Sequence, residues 1–275
     1  MSYYSSLGLT KEPFSNSPDP EFFYESTEHK AALMRLLVEI RLRRGLSVIL
    51  GDVGVGKTTL SRKLFQMLKE RSDILFYMIM DPTAGSDELF LESLVRTFNI
   101  RDQIQGSSPS ILDYKEAIKK YLFQKGVEEN KTIVLVVDEA QKLNAESLEI
   151  LRVLLNYETN EYKLLQLVLF SQMELLPRIK EMNNFFDRIV LKYVINPLDE
   201  QDTHDLINFR LRHSGFSPEM KLFTDDAVSE IHHYSQGYPR KINLICHNAL
   251  RTLITGNKML IDGSLIRDLV ARSMI

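Results

Sequence analysis

The sequence predicts an α/β protein with a parallel sheet covered by helices on both faces, followed by a small all-helical subdomain. Three observations lead to this fold class. Between residues 46 and 194, short apolar runs alternate with segments of helical apolar spacing, the pattern of a parallel sheet. The runs are apolar at most positions rather than at every second residue, which is typical of strands buried on both faces. After Asp199 only the helical spacing continues.

Residues 1–26 are predicted to form an extended N-terminal arm. The prolines of this segment, Pro13, Pro18 and Pro20, rule out a continuous helix. Its aromatic residues indicate that the arm packs against folded protein; they are Tyr3, Tyr4, Phe14, Phe22, Phe23 and Tyr24.

Residues 27–198 are predicted to form the sheet domain. A helix over residues 27–44 would end at Gly45, a residue typical of helix C-termini. Apolar runs then predict strands at residues 46–50, 74–80, 132–137, 164–170 and 189–194. Helical spacing predicts helices over residues 58–69, 87–98, 111–125 and 145–156.

Residues 199–275 are predicted to form the helical subdomain. Helical spacing covers residues 199–213, 224–235, 239–255 and 263–273. Gly215, Gly237 and Gly256 fall between these segments and mark the breaks.

Composition narrows the classes of function. The chain has 275 residues, 44% of them hydrophobic and 26% charged, as in an ordinary globular protein. Its net charge of -3 argues against a strongly basic nucleic-acid binder, and the basic run 41–44 is interpreted as a favourable helix end. The single cysteine, Cys246, excludes a disulfide framework. No apolar run has the length of a membrane span, and the N-terminus is unlike a signal peptide, so we expect a cytoplasmic chain.

The most informative segment follows the first predicted strand. It fits the pattern G-x-x-x-x-G-K-[ST] and reads Gly51-Asp52-Val53-Gly54-Val55-Gly56-Lys57-Thr58. A strand before this segment and a helix after it place backbone N–H groups around a phosphate. Lys57 would reach the β- and γ-phosphates of a nucleotide, and the Thr58 hydroxyl would bind Mg²⁺. We call residues 51–58 the phosphate loop.

Two acids follow the third predicted strand. Asp138 comes at the carboxyl end of this buried strand, where open α/β sheets bind ligands. After a phosphate loop, an aspartate in this place helps to hold Mg²⁺. Glu139 beside it would act as the general base on the attacking water. The alternative is that both acids are solvated residues at a strand end.

Three further polar residues are candidates, and two of them have an alternative role. Gln172 ends the fourth predicted strand and would contact the γ-phosphate, or else cap the following turn. Arg188 precedes the last strand and would act on the nucleotide of a neighbouring subunit, or else form an ion pair with Asp187 or a nearby acid. Arg240 begins a predicted helix after Pro239. An arginine there is unfavourable for the helix dipole, which favours a role in sensing the nucleotide.

These segments together resemble the AAA+ ATPases of the ExeA/GspA type, the general secretion pathway protein A family. The resemblance spans nearly the whole chain, in the same order, and is carried by residues 7–14, 18–20 and 23–24, Gly51 to Thr59, Val137-Asp-Glu-Ala-Gln141, residues 158–159 and 163–166, Arg188-Ile189, and Gly237-Tyr-Pro-Arg-Lys-Ile-Asn243. The chain has Ser171 and Met173 where that family usually has glycine and proline.

The resemblance implies an AAA+ P-loop NTPase with a helical lid, using ATP and Mg²⁺. It implies the Walker A role for Lys57 and Thr58, with Thr59 also in the loop, and the Walker B role for Asp138 and Glu139. Gln172 would be sensor 1, Arg188 the arginine finger and Arg240 sensor 2. It also implies a homo-oligomer that drives or regulates a secretion or envelope-assembly partner.

Two alternatives remain open. Transposition ATPases of the MuB/TniB type share this architecture and bind DNA as ATP-dependent filaments, although the near-neutral charge disfavours DNA here. The other alternative is a nucleotide-gated interaction module with little hydrolysis. Glu139 argues against this alternative, because a pure switch does not need an acid that activates water. Relatives of the ExeA type often continue into a membrane span, so this chain would be a stand-alone protein or the cytosolic part of a membrane-anchored one.

Overall fold

The computed structural model describes residues 3–104, 109–182, 184–217, 221–256 and 259–273. The chain forms two compact units. The sheet unit comprises His29–Asp52 and Leu60–Ile195, and the helical unit comprises Met1–Glu28, Val53–Thr59 and Asn196–Ile275. The predicted arm thus falls in the helical unit, and so does most of the phosphate loop.

The sheet unit is built on five parallel strands in the order β2-β3-β4-β1-β5. They are β1 (Leu46–Leu50), β2 (Ile74–Ile79), β3 (Thr132–Val137), β4 (Leu165–Ser171) and β5 (Ile189–Val194). The apolar runs of β1, β3 and β4 are buried along their whole length, because helices cover both faces of a parallel sheet. The observed sheet confirms the predicted fold class.

The helices are α1 (Thr27–Arg41), α2 (Lys57–Leu68), α3 (Asp87–Thr97), α4 (Ile111–Phe123), α5 (Ala145–Leu154), α6 (Leu175–Glu181), α7 (Glu200–His213), α8 (Asp225–Ser235), α9 (Pro239–Thr255) and α10 (Gly263–Ser273). Side-chain oxygens cap several N-termini, as at Ser86 of α3 and Asn144 of α5. Ser110 and Asp113 form a capping box at α4.

Three sequence expectations need correction. The first helix ends at Arg41 rather than at residue 44, because Arg43 adopts the left-handed conformation with φ of 51°. The helix expected over 111–125 ends at Phe123 and continues as a π-helical turn to Glu128. The helix α6 was not predicted from the sequence, which indicated only a turn after Gln172.

The N-terminal arm packs within the helical unit. Phe14 is 1% exposed and belongs to the core formed by α7, α8, α9 and α10. The buried guanidinium of Arg210 donates hydrogen bonds to the carbonyls of Pro13 and Ser15, both at 3.1 Å. Burial lowers the pKa of Arg210 to about 10. The Tyr24 hydroxyl donates to Asp202 at 2.9 Å, so contacts along its length hold the arm to α7.

None of the described helices is long and apolar enough to span a lipid bilayer.

Candidate functional site

The phosphate loop connects β1 to α2. Gly54 and Gly56 have φ of 89° and 103°, a region that glycine adopts without strain. The helix α2 then begins at Lys57, and the first N–H groups of a helix have no carbonyl within the helix to bind. Lys57 itself is 6% exposed. Backbone N–H groups, a helix N-terminus and an ammonium group next to it form a donor set suited to an anion of high charge.

The loop meets α9 inside the helical unit. The backbone N–H of Arg240 donates to the carbonyl of Gly54 at 3.3 Å. A Cβ added at Gly54 would lie 3.1 Å from the Cβ of Arg240, so the two backbones approach closely because residue 54 has no side chain. The structure therefore brings Arg240 to the phosphate loop. The side chain of Arg240 is exposed at the first turn of α9.

Strand register brings Asp138 and Gln172 to one edge of the sheet unit, whereas Arg188 precedes β5 and lies at the opposite, amino edge. Leu50 at the end of β1 pairs with Ser171 at the end of β4, and Val137 at the end of β3 pairs with Leu169. Asp138 and Gln172, the residues that follow β3 and β4, consequently lie at the same carboxyl edge, which is where parallel sheets bind ligands.

The two acids after β3 have different surroundings. Asp138 is 1% exposed, and its N–H donates to the carbonyl of Ile79 at 2.8 Å. Its Oδ1 accepts the N–H of Glu139 at 3.0 Å. Glu139 is half-buried and has φ of 52° and ψ of 37°. A non-glycine residue in this conformation costs on the order of 1 kcal/mol or more, and such strain concentrates at functional sites.

Gln141 joins the acid pair to the end of β4. Its Nε2 donates to Oε2 of Glu139 at 2.7 Å. Its Oε1 accepts two hydrogen bonds, from the Ser171 hydroxyl and from the N–H of Gln172, both at 3.1 Å. From the sequence, Gln141 was recognised only as part of a family motif, and no role was predicted for it. An amide two residues after the acid pair is the one signal that could have drawn attention to it.

Arg178 fixes the backbone around Gln141. It lies on α6 and donates from Nη1 to the carbonyl of Gln141 at 2.7 Å, and from Nη2 to the carbonyl of Leu143. Nothing in the sequence singled out Arg178, since the helix that carries it was missed.

Arg188 ends a 3-10 turn, Phe186–Arg188, that leads into β5. Its Nε donates to the carbonyl of Asn184 at 3.0 Å. In the described part of the chain it has no ion pair, so the expected alternative of a pair with Asp187 is absent there. The guanidinium is half-buried and keeps further N–H groups for other acceptors.

The basic run after α1 has structural contacts. Arg43 donates to the Thr132 hydroxyl at 2.9 Å and to the carbonyl of Asn130 at 2.8 Å. Its guanidinium lies 4.6 Å from the centre of the Tyr162 ring. Arg44 faces Glu39 at 3.8 Å. These contacts give Arg43 and Arg44 roles within the fold.

Comparison with known proteins identifies relatives of this chain. Residues 40–179 match a family model described as an AAA domain. The chain is 34% identical over 266 residues to General secretion pathway protein A of Aeromonas hydrophila. This alignment covers 96% of the present chain and 47% of that protein. The chain therefore spans about half the length of this curated relative.

Solved structures share the fold. Cdc6p of Pyrobaculum aerophilum superimposes with a TM-score of 0.71 at 17% identity, over 96% of this chain and 71% of that one. The ORC2 protein of Aeropyrum pernix gives 0.68 at 18% identity, over 96% and 72%. The RuvB branch migration motor of Thermotoga maritima gives 0.58 at 12%, over 92% and 73%. At these identities the likeness establishes the fold, the AAA+ α/β architecture, and nothing more.

Proposed function

We propose a function from one premise: the chain belongs to the AAA domain family and is a relative of General secretion pathway protein A. The proposal is a Mg²⁺-dependent ATPase that hydrolyses ATP to ADP and phosphate and works as an oligomer. The observation that supports it best is the phosphate loop, where Gly54 and Gly56 adopt positive φ and lead into the N-terminus of α2 at Lys57.

The loop would bind the nucleotide through its phosphates. Backbone N–H groups of residues 51–59 would donate to phosphate oxygens, and the N-terminal end of the α2 dipole would stabilise their charge. The ammonium of Lys57 would bind the β- and γ-phosphates. Lys57 begins the helix that follows the loop, next to the backbone N–H groups of the loop, and this position supports the role.

Thr58 and Asp138 would hold Mg²⁺, because hydroxyl and carboxylate oxygens are the ligands this hard cation prefers. The cation, when bound, neutralises charge on the phosphates. Asp138 suits the task since it is buried at a strand end and its Oδ1 is already oriented by the N–H of Glu139.

Glu139 would take the proton from the attacking water, and Gln172 would orient the γ-phosphate or that water. The left-handed backbone of Glu139 departs from the strand geometry of β3, and this supports a role distinct from that of Asp138.

Arg188 and Arg240 would complete the site in an assembled protein. An arginine supplied by a neighbouring subunit stabilises charge on the transferred phosphoryl group and is worth about 10³–10⁵ in rate. Arg188 has no ion pair within the described residues, which leaves its charge available for such a contact. Arg240 would sense the nucleotide, since its backbone binds Gly54 of the loop.

A secretion or envelope-assembly partner and a cytoplasmic location complete the proposal. The partner is proposed from the relative's printed name, General secretion pathway protein A, and that relative is about twice as long as this chain. The location is the one expected from the sequence. The partner would respond to changes that ATP produces in the helical unit and in the subunit contacts.

Two variants and one control test the ATPase proposal. Lys57→Ala should lose ATP binding, because the loop loses its side-chain charge. Glu139→Gln should bind ATP but stall hydrolysis, because an amide is not a base. Lys63→Ala, on the same helix as Lys57, should behave as the wild type in both respects. Isothermal titration measures binding and phosphate release measures turnover. Wild-type hydrolysis by Glu139→Gln would show that the general base is another group.

A further inference from the structure

The amide of Gln141 has a fixed orientation. The backbone N–H of Gln172 can only donate, so the atom of Gln141 that faces it is the carbonyl oxygen Oε1. The NH₂ group of the same amide therefore faces Glu139, whose carboxylate accepts at 2.7 Å. Reversing the amide would put an NH₂ group against a backbone donor and an oxygen against a carboxylate. Both contacts would become repulsive, so the observed orientation is the stable one.

The backbone beneath this amide is fixed as well. Gln141 lies in the 3-10 turn Ala140–Lys142, and Ala140 is fully buried. Arg178 donates to the carbonyl of Gln141 at 2.7 Å from the side of α6. The side chain thus extends from an anchored turn, and both ends of its amide are engaged. Such an arrangement holds the partner carboxylate in one place.

The contact leaves part of Glu139 available for chemistry. Oε2 accepts from Gln141, whereas Oε1 has no hydrogen-bond partner among the residues that the structure describes. A carboxylate held by one oxygen presents the other in a defined direction. That is what a general base needs, because it must lie within hydrogen-bond reach of the proton it removes.

The position of a general base has a large effect on rate. A misplacement of about 1 Å at a reacting group costs roughly a hundredfold in rate. Loss of the contact that holds Glu139 in place should therefore be measurable in kcat.

We propose that Gln141 is a positioning residue for hydrolysis, which orients Glu139 and ties it to Ser171 and Gln172 at the end of β4. The inference rests on the proposed function of Glu139 as general base. It adds a physical link between the base and the strand end that faces the γ-phosphate in the proposed site. Gln141 acts through Glu139 and not on the nucleotide.

The test replaces Gln141 by a side chain of similar length without donors or acceptors. Gln141→Met should lower kcat about tenfold to a hundredfold, while KM and the Kd for ATP stay within about twofold. Lys142→Met, on the same turn, should leave kcat unchanged, because the Lys142 ammonium pairs with Asp81 at 3.6 Å and the backbone N–H that donates to the Glu139 carbonyl is kept. Ser171→Ala provides a second variant, which removes one anchor of the amide and should lower kcat by a few fold.

A double variant separates positioning from a general structural role. In the Glu139→Gln background, Gln141→Met should change single-turnover hydrolysis by less than about twofold, because the group it positions is already absent. An undiminished kcat in Gln141→Met, or a full additional loss in the double variant, would overturn the inference while leaving the ATPase proposal intact. If the wild type released no phosphate and Glu139→Gln behaved identically, both proposals would fail together.

Discussion

Gly237 lies at the point where the helical unit depends most on the absence of a side chain. It has φ of 74°, and a Cβ added there would lie 1.9 Å from the carbonyl oxygen of Leu198. Gly237 also accepts the N–H of Leu198 at 2.9 Å and donates its own N–H to the Ser235 hydroxyl at 3.2 Å. We predict that Gly237→Ala strongly destabilises the helical unit.

The loss of stability expected for Gly237→Ala has a conformational part and a steric part. An alanine in the left-handed region costs about 1–2 kcal/mol, reduced by about 0.4–1 kcal/mol because alanine restricts the unfolded chain. The clash adds more, because the Cβ and the Leu198 oxygen must separate from 1.9 Å to at least 3.0 Å. A backbone shift of that size breaks the hydrogen bond with Leu198, and each buried group left unsatisfied costs about 1–3 kcal/mol. We expect a loss of about 3–5 kcal/mol.

Gly8 provides the matched control. Its φ is 73°, but a Cβ added there would have no neighbour within 4 Å. Gly8→Ala should therefore show the conformational cost alone, about 1 kcal/mol. Urea unfolding, combined with hydrogen exchange on peptides from α7 and α9, measures the stability of the helical unit. A Gly237→Ala variant within 1 kcal/mol of Gly8→Ala would refute the steric argument.

Two other predictions concern assembly and partners. Arg188→Ala should bind ATP normally and hydrolyse it much more slowly. Mixing Arg188→Ala with Glu139→Gln should restore part of the phosphate release, because some subunit interfaces would pair an intact Glu139 with an intact Arg188. If demonstrated mixed oligomers showed no recovery, Arg188 would have a role within its own subunit. Binding to duplex DNA should be weak and steeply salt-dependent in fluorescence anisotropy with ATP, and submicromolar affinity at physiological salt would favour the transposition-type alternative.

The sheet could be predicted from the sequence because its signals are local. The strands β1, β3 and β5 have the predicted bounds, and β2 and β4 differ by at most one residue at either end. A fully apolar run between turn signals identifies a buried strand without knowledge of its neighbours. The place of Asp138 at a strand end followed from the same signal.

Helix ends were less predictable because distant residues decide them. The first helix was expected to continue to residue 44, yet Arg43 turns to positive φ and donates to Thr132 and to Asn130. These partners are about 90 residues away in the chain. No pattern within the helix records such a contact, so spacing alone extended the helix too far.

The polar network around Glu139 escaped prediction for a related reason. The sequence shows Gln141 beside the acid pair, but the partners that give it a role, Ser171 and Gln172, come 30 residues later. Arg178 acts on the same turn from a helix that the sequence did not reveal. Single residues with a strong chemical signature can be recognised from sequence, whereas the contacts that orient them depend on the register of the sheet.

The contact between the phosphate loop and α9 links a candidate residue chosen from the sequence to the packing of the helical unit. Sequence reasoning selected Arg240 because a cation at a helix N-terminus is unfavourable, and the structure shows that its N–H binds the carbonyl of Gly54. Gly237, three residues earlier, fixes the entry into α9 through Leu198. Any change in the backbone of the loop at Gly54 therefore moves an acceptor at the first turn of α9. A loop that responds to phosphate would thus act directly on the helix that runs through the core of the helical unit.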